Sequence, residues 1–256
     1  MSYAGLSLET IQARMNERFA TGTAYVDTVL WDEIRAQEMI QTFNELVGPV
    51  DGARILDVGV GRGGAARELW QRGAFASYLG IDLSSEALAQ AATNNADIPR
   101  LTYTVMNASA LDVPSASIDL IYAREIIEHL TEQEAMLAEC ARVLAPGGRM
   151  ILSSPNRDSL HLRMNRMLGH EDFQCCLDHI HELTFKECRT MIHQAGLEMV
   201  KARGVFLMPY WGISGVDGYV RALTDNDPAV IEWCRVMGQR VGPEYAFQYV
   251  IHAEKP

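Results

Sequence analysis

Arg54-Ile-Leu-Asp-Val-Gly-Val-Gly-Arg-Gly-Gly64, followed by Ala65-Ala-Arg-Glu-Leu-Trp70, decides how the rest of the chain is read. Ile55, Leu56 and Val58 form a short apolar run of the kind buried in a parallel sheet. Glycines end it, and an Ala/Leu-rich run predicts a helix. A strand that passes through glycine into a helix turns backbone N–H groups and the positive helix end toward a ligand. Two patterns overlap here. Gly59, Gly61 and Gly64 fit G-x-G-x-x-G, whereas Asp57, Gly59, Gly61 and Gly63 fit D-x-G-x-G-x-G. The carboxylate of Asp57 repels a pyrophosphate and suits an ammonium or sulfonium group. A glycine turn that only packs a helix against the sheet is the bland alternative, and the downstream segments weigh against it.

Strand and helix then alternate. Tyr78–Ile81 predicts a second strand ending on Asp82, an acid placed for both hydroxyls of a ribose. Ser84 caps a helix to about Asn94, Leu101–Val105 is a third strand, and Ile118–Tyr122 a fourth. Thr131-Glu-Gln-Glu134 has the spacing of a capping box, and Met150–Ser153 follows the Pro146-Gly147-Gly148 turn as a fifth strand. This order predicts a doubly wound, Rossmann-like α/β fold with a mixed seven-stranded sheet. Glu198–Met208 and Ala246–Ala253 lack a crossover helix of the usual kind, which predicts an antiparallel edge. The Thr184-Phe-Lys-Glu187 box opens a helix to about Ala195. Before the first strand, a helix capped by Ser7 and another over about 26–47, stopped by Gly48-Pro49, form a helical cap of about residues 1–50. One domain over 1–256 is expected, with insertions of about 156–183 and 209–243 forming, with the cap, a lid over a substrate.

The 256 residues carry 22 Lys and Arg against 33 Asp and Glu, a net charge of −11. That balance argues against nucleic acid or an anionic membrane as partner and is compatible with a small neutral or cationic substrate. The five cysteines are odd in number and lack a C-x-x-C pair, and no signal-like or membrane-spanning stretch is present. A soluble, cytoplasmic, reduced protein is expected; the sequence leaves its oligomeric state open.

From about residue 52 to 200 the chain resembles the class I S-adenosylmethionine-dependent methyltransferases that act on small molecules. Asp57, Gly59, Gly61 and Gly63 look like their first motif. Gly80-Ile-Asp82-Leu83-Ser84 looks like the ribose-binding motif, and Asn107-Ala108 stands where the family commonly has Asp-Ala beside the adenine. Arg124-Glu-Ile-Ile-Glu-His129 resembles the segment that cradles the methionine end. His179-Ile-His-Glu-Leu183-Thr184 with Gln194-Ala-Gly-Leu197 is similar to H-x-x-x-F-T…A-G-F, with Leu183 in place of Phe. The resemblance implies S-adenosylmethionine as cofactor and methyl transfer to a small molecule, a hydroxyl oxygen before nitrogen or carbon. It implies cofactor contacts from Asp57, Gly59, Gly61, Gly63, Asp82, Leu83, Asn107, Ala108 and Arg124.

A hydroxyl acceptor needs a base unless it is already ionised. His179 and His129 are the catalytic candidates. Each also has a structural reading that weighs more: His129 anchors the helix expected at Thr131, and His179 fastens the first insertion to the core. No Asp pair followed by Asn marks a magnesium site, so no metal is expected. His161, His170 and His193 read as packing or solvated residues, and Cys175 and Cys176 as inert thiols. Phe206 reads as core, Tyr210 and Trp211 as pocket walls. Two competing functions remain: an NAD-dependent oxidoreductase, sustained only by the glycines and Asp82, and an S-adenosylmethionine-binding protein without methyl transfer.

Overall fold

The computed structural model describes residues 6–21, 30–170, 176, 178–208, 215, 216, 218–220 and 225–256. The sheet has seven strands: β1 (Arg54–Val58), β2 (Ser77–Asp82), β3 (Leu101–Val105), β4 (Ile118–Ala123), β5 (Leu144–Pro155), β6 (Glu198–Val205) and β7 (Gln248–Glu254). Their order is β3-β2-β1-β4-β5-β7-β6. The first five are parallel, while β7 runs antiparallel between β5 and β6. The expected mixed sheet and its antiparallel edge are both present. The Pro146-Gly147-Gly148 turn lies inside β5, where the pairing with β4 shifts register between Ile118 and Leu120.

Side chains alternate across the sheet as the period of two requires. Ile55, Tyr78, Leu120, Tyr122, Ile151 and Val250 face one core, built with α2 (Leu30–Val47) and α3 (Gly64–Trp70). Leu56, Val58, Ile81, Ile121, Leu152 and Ile251 face the other, built with α5 (Gln133–Val143) and α7 (Phe185–Gln194). Between them along the chain lie α4 (Ser85–Asn94), capped by the Ser84 hydroxyl, and α6 (Leu160–Met167). The capping box at α7 is complete: Thr184 Oγ1 accepts from Glu187 N, and the Glu187 carboxylate accepts from Thr184 N.

The box expected at Thr131 does not form. A 3-10 turn at Ile127–His129 carries the chain past Thr131, α5 starts at Gln133, and Glu132 stands at its cap without a side-chain bond. The reason is Gln133: its buried amide donates to the carbonyls of Ile127 and His181, 2.8 Å each, and this sets where the helix begins.

The N-terminal helix α1 (Leu8–Thr21) is capped by Ser7, whose hydroxyl accepts from Thr10 N. Its side chains reach the ligand end of the sheet: Gln12 Nε2 donates to the Leu83 carbonyl, 2.9 Å, and Gln90 Nε2 donates to the Phe19 carbonyl, 3.1 Å. Within the second insertion, α8 (Pro228–Val241) starts at Asp227, whose carboxylate accepts from Ala229 N and Val230 N. This helix packs against α2 and β6. Tyr210 and Trp211 lie outside the described residues. Phe206 is fully buried against Trp31, 6.5 Å between ring centres.

Candidate active site

Two adjoining spaces open at the carboxyl ends of β1, β2 and β4, where doubly wound sheets hold ligands. The larger, about 430 Å³, is walled by Gly59, Gly61, Ile81, Asp82, Leu83, Met106, Ala108, Arg124, His129 and His179, with helices α1 and α2 above it. The smaller, about 240 Å³, is lined by Asp57, Gly59, Gly61, Gly64, Tyr122 and Arg124. Gly59, Gly61 and Arg124 belong to both.

The glycine turn fits the sheet tightly. Gly59 has φ +76°, and a Cβ there would lie 2.7 Å from the Ile126 side chain. Gly63 also has positive φ and caps α3; its Cβ would meet Asn95 and Ala91 at 2.5 and 2.9 Å, so its place is against α4 and not on the cavity wall. Asp82 ties the turn to β2. Its Oδ2 accepts from Gly61 N at 3.0 Å and its Oδ1 from Ser84 N at 2.9 Å, and burial raises its pKa. Leu83 and Ala108 stand on the wall beside it. Asn107 behaves differently: its side-chain oxygen accepts from Ser109 N, 3.0 Å, in a local turn, and its neighbours Met106 and Ala108 form the wall.

At the other end Asp57 is 2% exposed and accepts a hydrogen bond from the Tyr78 hydroxyl. Burial pushes its carboxyl up to about 7, although Tyr78 and the nearby Arg124 pull the other way. Arg124 forks onto Glu68 with Nη–Oε distances of 3.0 to 3.2 Å. Glu125 holds φ +54°, a conformation rare outside glycine. Its N–H donates to Ser153 Oγ and that hydroxyl donates back to Glu125 Oε1, at 3.0 and 2.6 Å. Gln248 donates to the second oxygen and is itself held by Arg35. No motif pointed to this relay across α2, β7, β5 and the tip of β4; the four residues lie far apart in sequence.

His129 and His179, fifty positions apart, meet with ring centres 4.9 Å apart at 80°. His179 Nδ1 lies 2.5 Å from the Glu182 carboxylate, and His129 Nδ1 donates to the Asp178 carbonyl at 3.2 Å. Beneath them Glu128 is completely buried, and burial drives its pKa well up. Cys176 also reaches the wall, while His161 is packed in the core and His170 and His193 are exposed.

The set fits a nucleoside joined to an amino acid. Apolar walls flank Asp82, which can take a diol, and the far end holds a buried carboxylate beside a guanidinium for an ammonium and a carboxylate. A protein-family model described as a methyltransferase domain matches residues 56–152. The domain match and the relatives support a class I S-adenosylmethionine-dependent methyltransferase. Similar sequences to this methyltransferase include ubiquinone biosynthesis O-methyltransferases. That of Paracidovorax citrulli is 34% identical over 116 residues, 44% of this chain and 48% of the relative. That of Sinorhizobium medicae is 29% identical over 175 residues, 65% of this chain and 69% of the relative. The chain spans about half the length of several relatives it matches. In solved structures the same fold appears in phosphoethanolamine N-methyltransferase 2 of Haemonchus contortus, crystallised with S-adenosylhomocysteine. The TM-score is 0.63 at 18% identity, covering 98% of this chain and 60% of that one. The [4+2]-cyclase SpnF shares it too, with a TM-score of 0.59 at 20% identity over 86% of this chain and 81% of that one. Among the described residues no helix is long and apolar enough to cross a membrane.

Proposed function

We propose that the chain methylates a hydroxyl oxygen of a small, largely apolar molecule, a phenol before an aliphatic alcohol. The observation that carries this is the His129–His179 pair on the wall of the cavity, backed by the Glu182 carboxylate. S-adenosylmethionine supplies an activated methyl group. The protein contributes position: Asp82 takes the ribose hydroxyls, Leu83, Met106 and Ala108 the base, and Asp57 with Arg124 the amino-acid end. Ile11, Met15, Phe19, Met39 and Ile40 offer the acceptor an apolar surface. As the new O–C bond forms and the sulfonium S–C bond breaks, S-adenosylhomocysteine would leave and the hydroxyl proton would pass toward the histidine pair. Holding both partners in line supplies much of the acceleration.

Other bonds help to fasten the segment that carries His179, which supports a chemical role for its ring. Ile180 N and His181 N donate to the Glu128 carbonyl at 2.8 and 3.2 Å, and Gln133 holds the His181 carbonyl. His179→Gln should therefore lower kcat about a hundredfold while melting temperature and S-adenosylmethionine affinity stay near wild type. The assay is S-adenosylhomocysteine release with a panel of phenols, alcohols and amines. Unchanged kcat with a phenol removes His179 from the chemistry, and turnover of amines alone overturns the hydroxyl assignment.

Asp57 adds a pH dependence to cofactor binding. Only the ionised carboxylate attracts the ammonium group, and its pKa of about 7 leaves roughly a tenth ionised at pH 6 and nine-tenths at pH 8. Affinity for S-adenosylhomocysteine should rise about tenfold over that interval by calorimetry, and Asp57→Asn should bind weakly with a flat profile.

A further inference from the structure

We propose that Glu128, His129 and His179 form a site for a divalent transition-metal cation of the zinc class at the acceptor end of the cavity. One ligand atom from each residue lies within 4.8 Å of the other two. Two further observations point the same way.

The first is Glu128 itself. Its side chain is 0% exposed, and among the described residues neither carboxylate oxygen has a hydrogen-bond partner. Buried polar groups are almost always paired, and a buried carboxylate without a partner is strongly unfavourable. Glu125 and Glu182 lie near enough to push further against its charge. A cation between Glu128 and the two imidazoles removes that penalty at once.

The second is how the histidines are held. His179 is gripped through Nδ1 by the Glu182 carboxylate, and His129 through Nδ1 by the Asp178 carbonyl. Both acceptors fix the tautomer so that the lone pair sits on Nε2, the outer-sphere arrangement that orients ligating imidazoles. Backbone bonds from Ile180 and His181 to the Glu128 carbonyl hold the two ligand-bearing segments together. Metal–ligand bonds of about 2.0–2.2 Å bring ligand atoms somewhat closer than 4.8 Å, so the three side chains draw in on binding. Two nitrogens and one carboxylate favour zinc-class ions over magnesium or calcium. Three protein ligands leave coordination positions open, and His129 and His179 both face the cavity. The role of the ion rests on the hydroxyl reading above and replaces the histidine pair as the means of deprotonation: with both imidazoles bound to the cation, an acceptor oxygen at an open position loses its proton to solvent more easily. The expectation of no metal looked for an Asp pair followed by Asn, and this set has a different composition.

The test uses the full chain, stripped with a chelator and free of acceptor and cofactor. Co²⁺ should add with one equivalent, give visible absorption of a low-coordinate site, and be displaced by Zn²⁺; calorimetry with Zn²⁺ gives the affinity. Glu128→Gln, which keeps shape, and His179→Ala should each weaken binding about a hundredfold or more, with circular dichroism confirming the fold. If millimolar Co²⁺ and Zn²⁺ give no saturable signal, or the variants bind as tightly as wild type, the site does not exist. Binding with no methyl transfer to any hydroxyl leaves the site and removes the function. Full activity of the stripped protein in chelator, with no saturable binding, does the reverse.

Discussion

Gly238→Ala should destabilise the protein by about 3 kcal/mol or more, lowering its melting temperature by roughly 6–12 °C. Position 238 lies within α8, where alanine ordinarily improves a helix by up to about 1 kcal/mol. Packing reverses the sign. A Cβ at Gly238 would fall well inside van der Waals contact with N, C and Cα of Phe206, which are backbone atoms and cannot rotate aside. Phe206 is itself held at φ +59°, and Leu207 N donates to the Cys234 carbonyl, so the two segments are already joined. Relief requires α8 to lift from β6, opening the core around Ile231, Cys234 and Phe206. Thermal unfolding measures this directly. A Gly238→Ala protein as stable as wild type would mean that the close approach of α8 to Phe206 is wrong.

That close approach also shows where sequence reading stops. Parallel strands such as Ile55–Val58 and Ile118–Tyr122 were legible because a strand buried on both faces is one apolar run between turn residues; β3, which has no fully buried residue, carried only a weak alternation. The box at Thr184 was legible because it is local. The similar spacing at Thr131 misled: what places the start of α5 is the Gln133 amide satisfying two carbonyls, one of them 48 residues away. The Asp227-Pro228 start of α8 carried a readable signal, an N-cap acid followed by proline at the first helical position, that was passed over in favour of an open excursion. Asp57, Gly59, Gly61, Asp82 and Leu83 could be placed from order along the chain because they follow strand ends. The grouping of His129, His179 and Glu128 could not. It depends on residues 178–181 folding back over the 3-10 turn, a tertiary fact that leaves no local mark. Glu125 with Ser153, Gln248 and Arg35 was invisible for the same reason.

Arg124→Met should cost about 2–4 kcal/mol of stability and weaken S-adenosylhomocysteine binding as well. The guanidinium sits over the Tyr122 and Phe43 rings at 5.5 and 6.0 Å and makes three hydrogen bonds to Glu68. Removing one partner of a buried pair leaves an uncompensated charge, which costs about 3–5 kcal/mol where water is excluded. Here the side chains keep 23% and 18% of their exposure, so solvent lowers the expected value. Met fills much of the same volume, and the loss is then mainly electrostatic. Arg124 also favours the ionised form of Asp57, so the variant should shift the pH dependence of cofactor binding upward. Arg124→Lys should recover only part of the loss, because an ammonium cannot fork onto both Glu68 oxygens. The decisive comparison is the double variant Arg124→Met with Glu68→Leu. If the penalty comes from the stranded carboxylate, the double variant is more stable than Arg124→Met alone by denaturant unfolding, while its cofactor affinity stays low. Losses that simply add would show instead that Arg124 stabilises the fold through the two aromatic rings, with Glu68 a bystander.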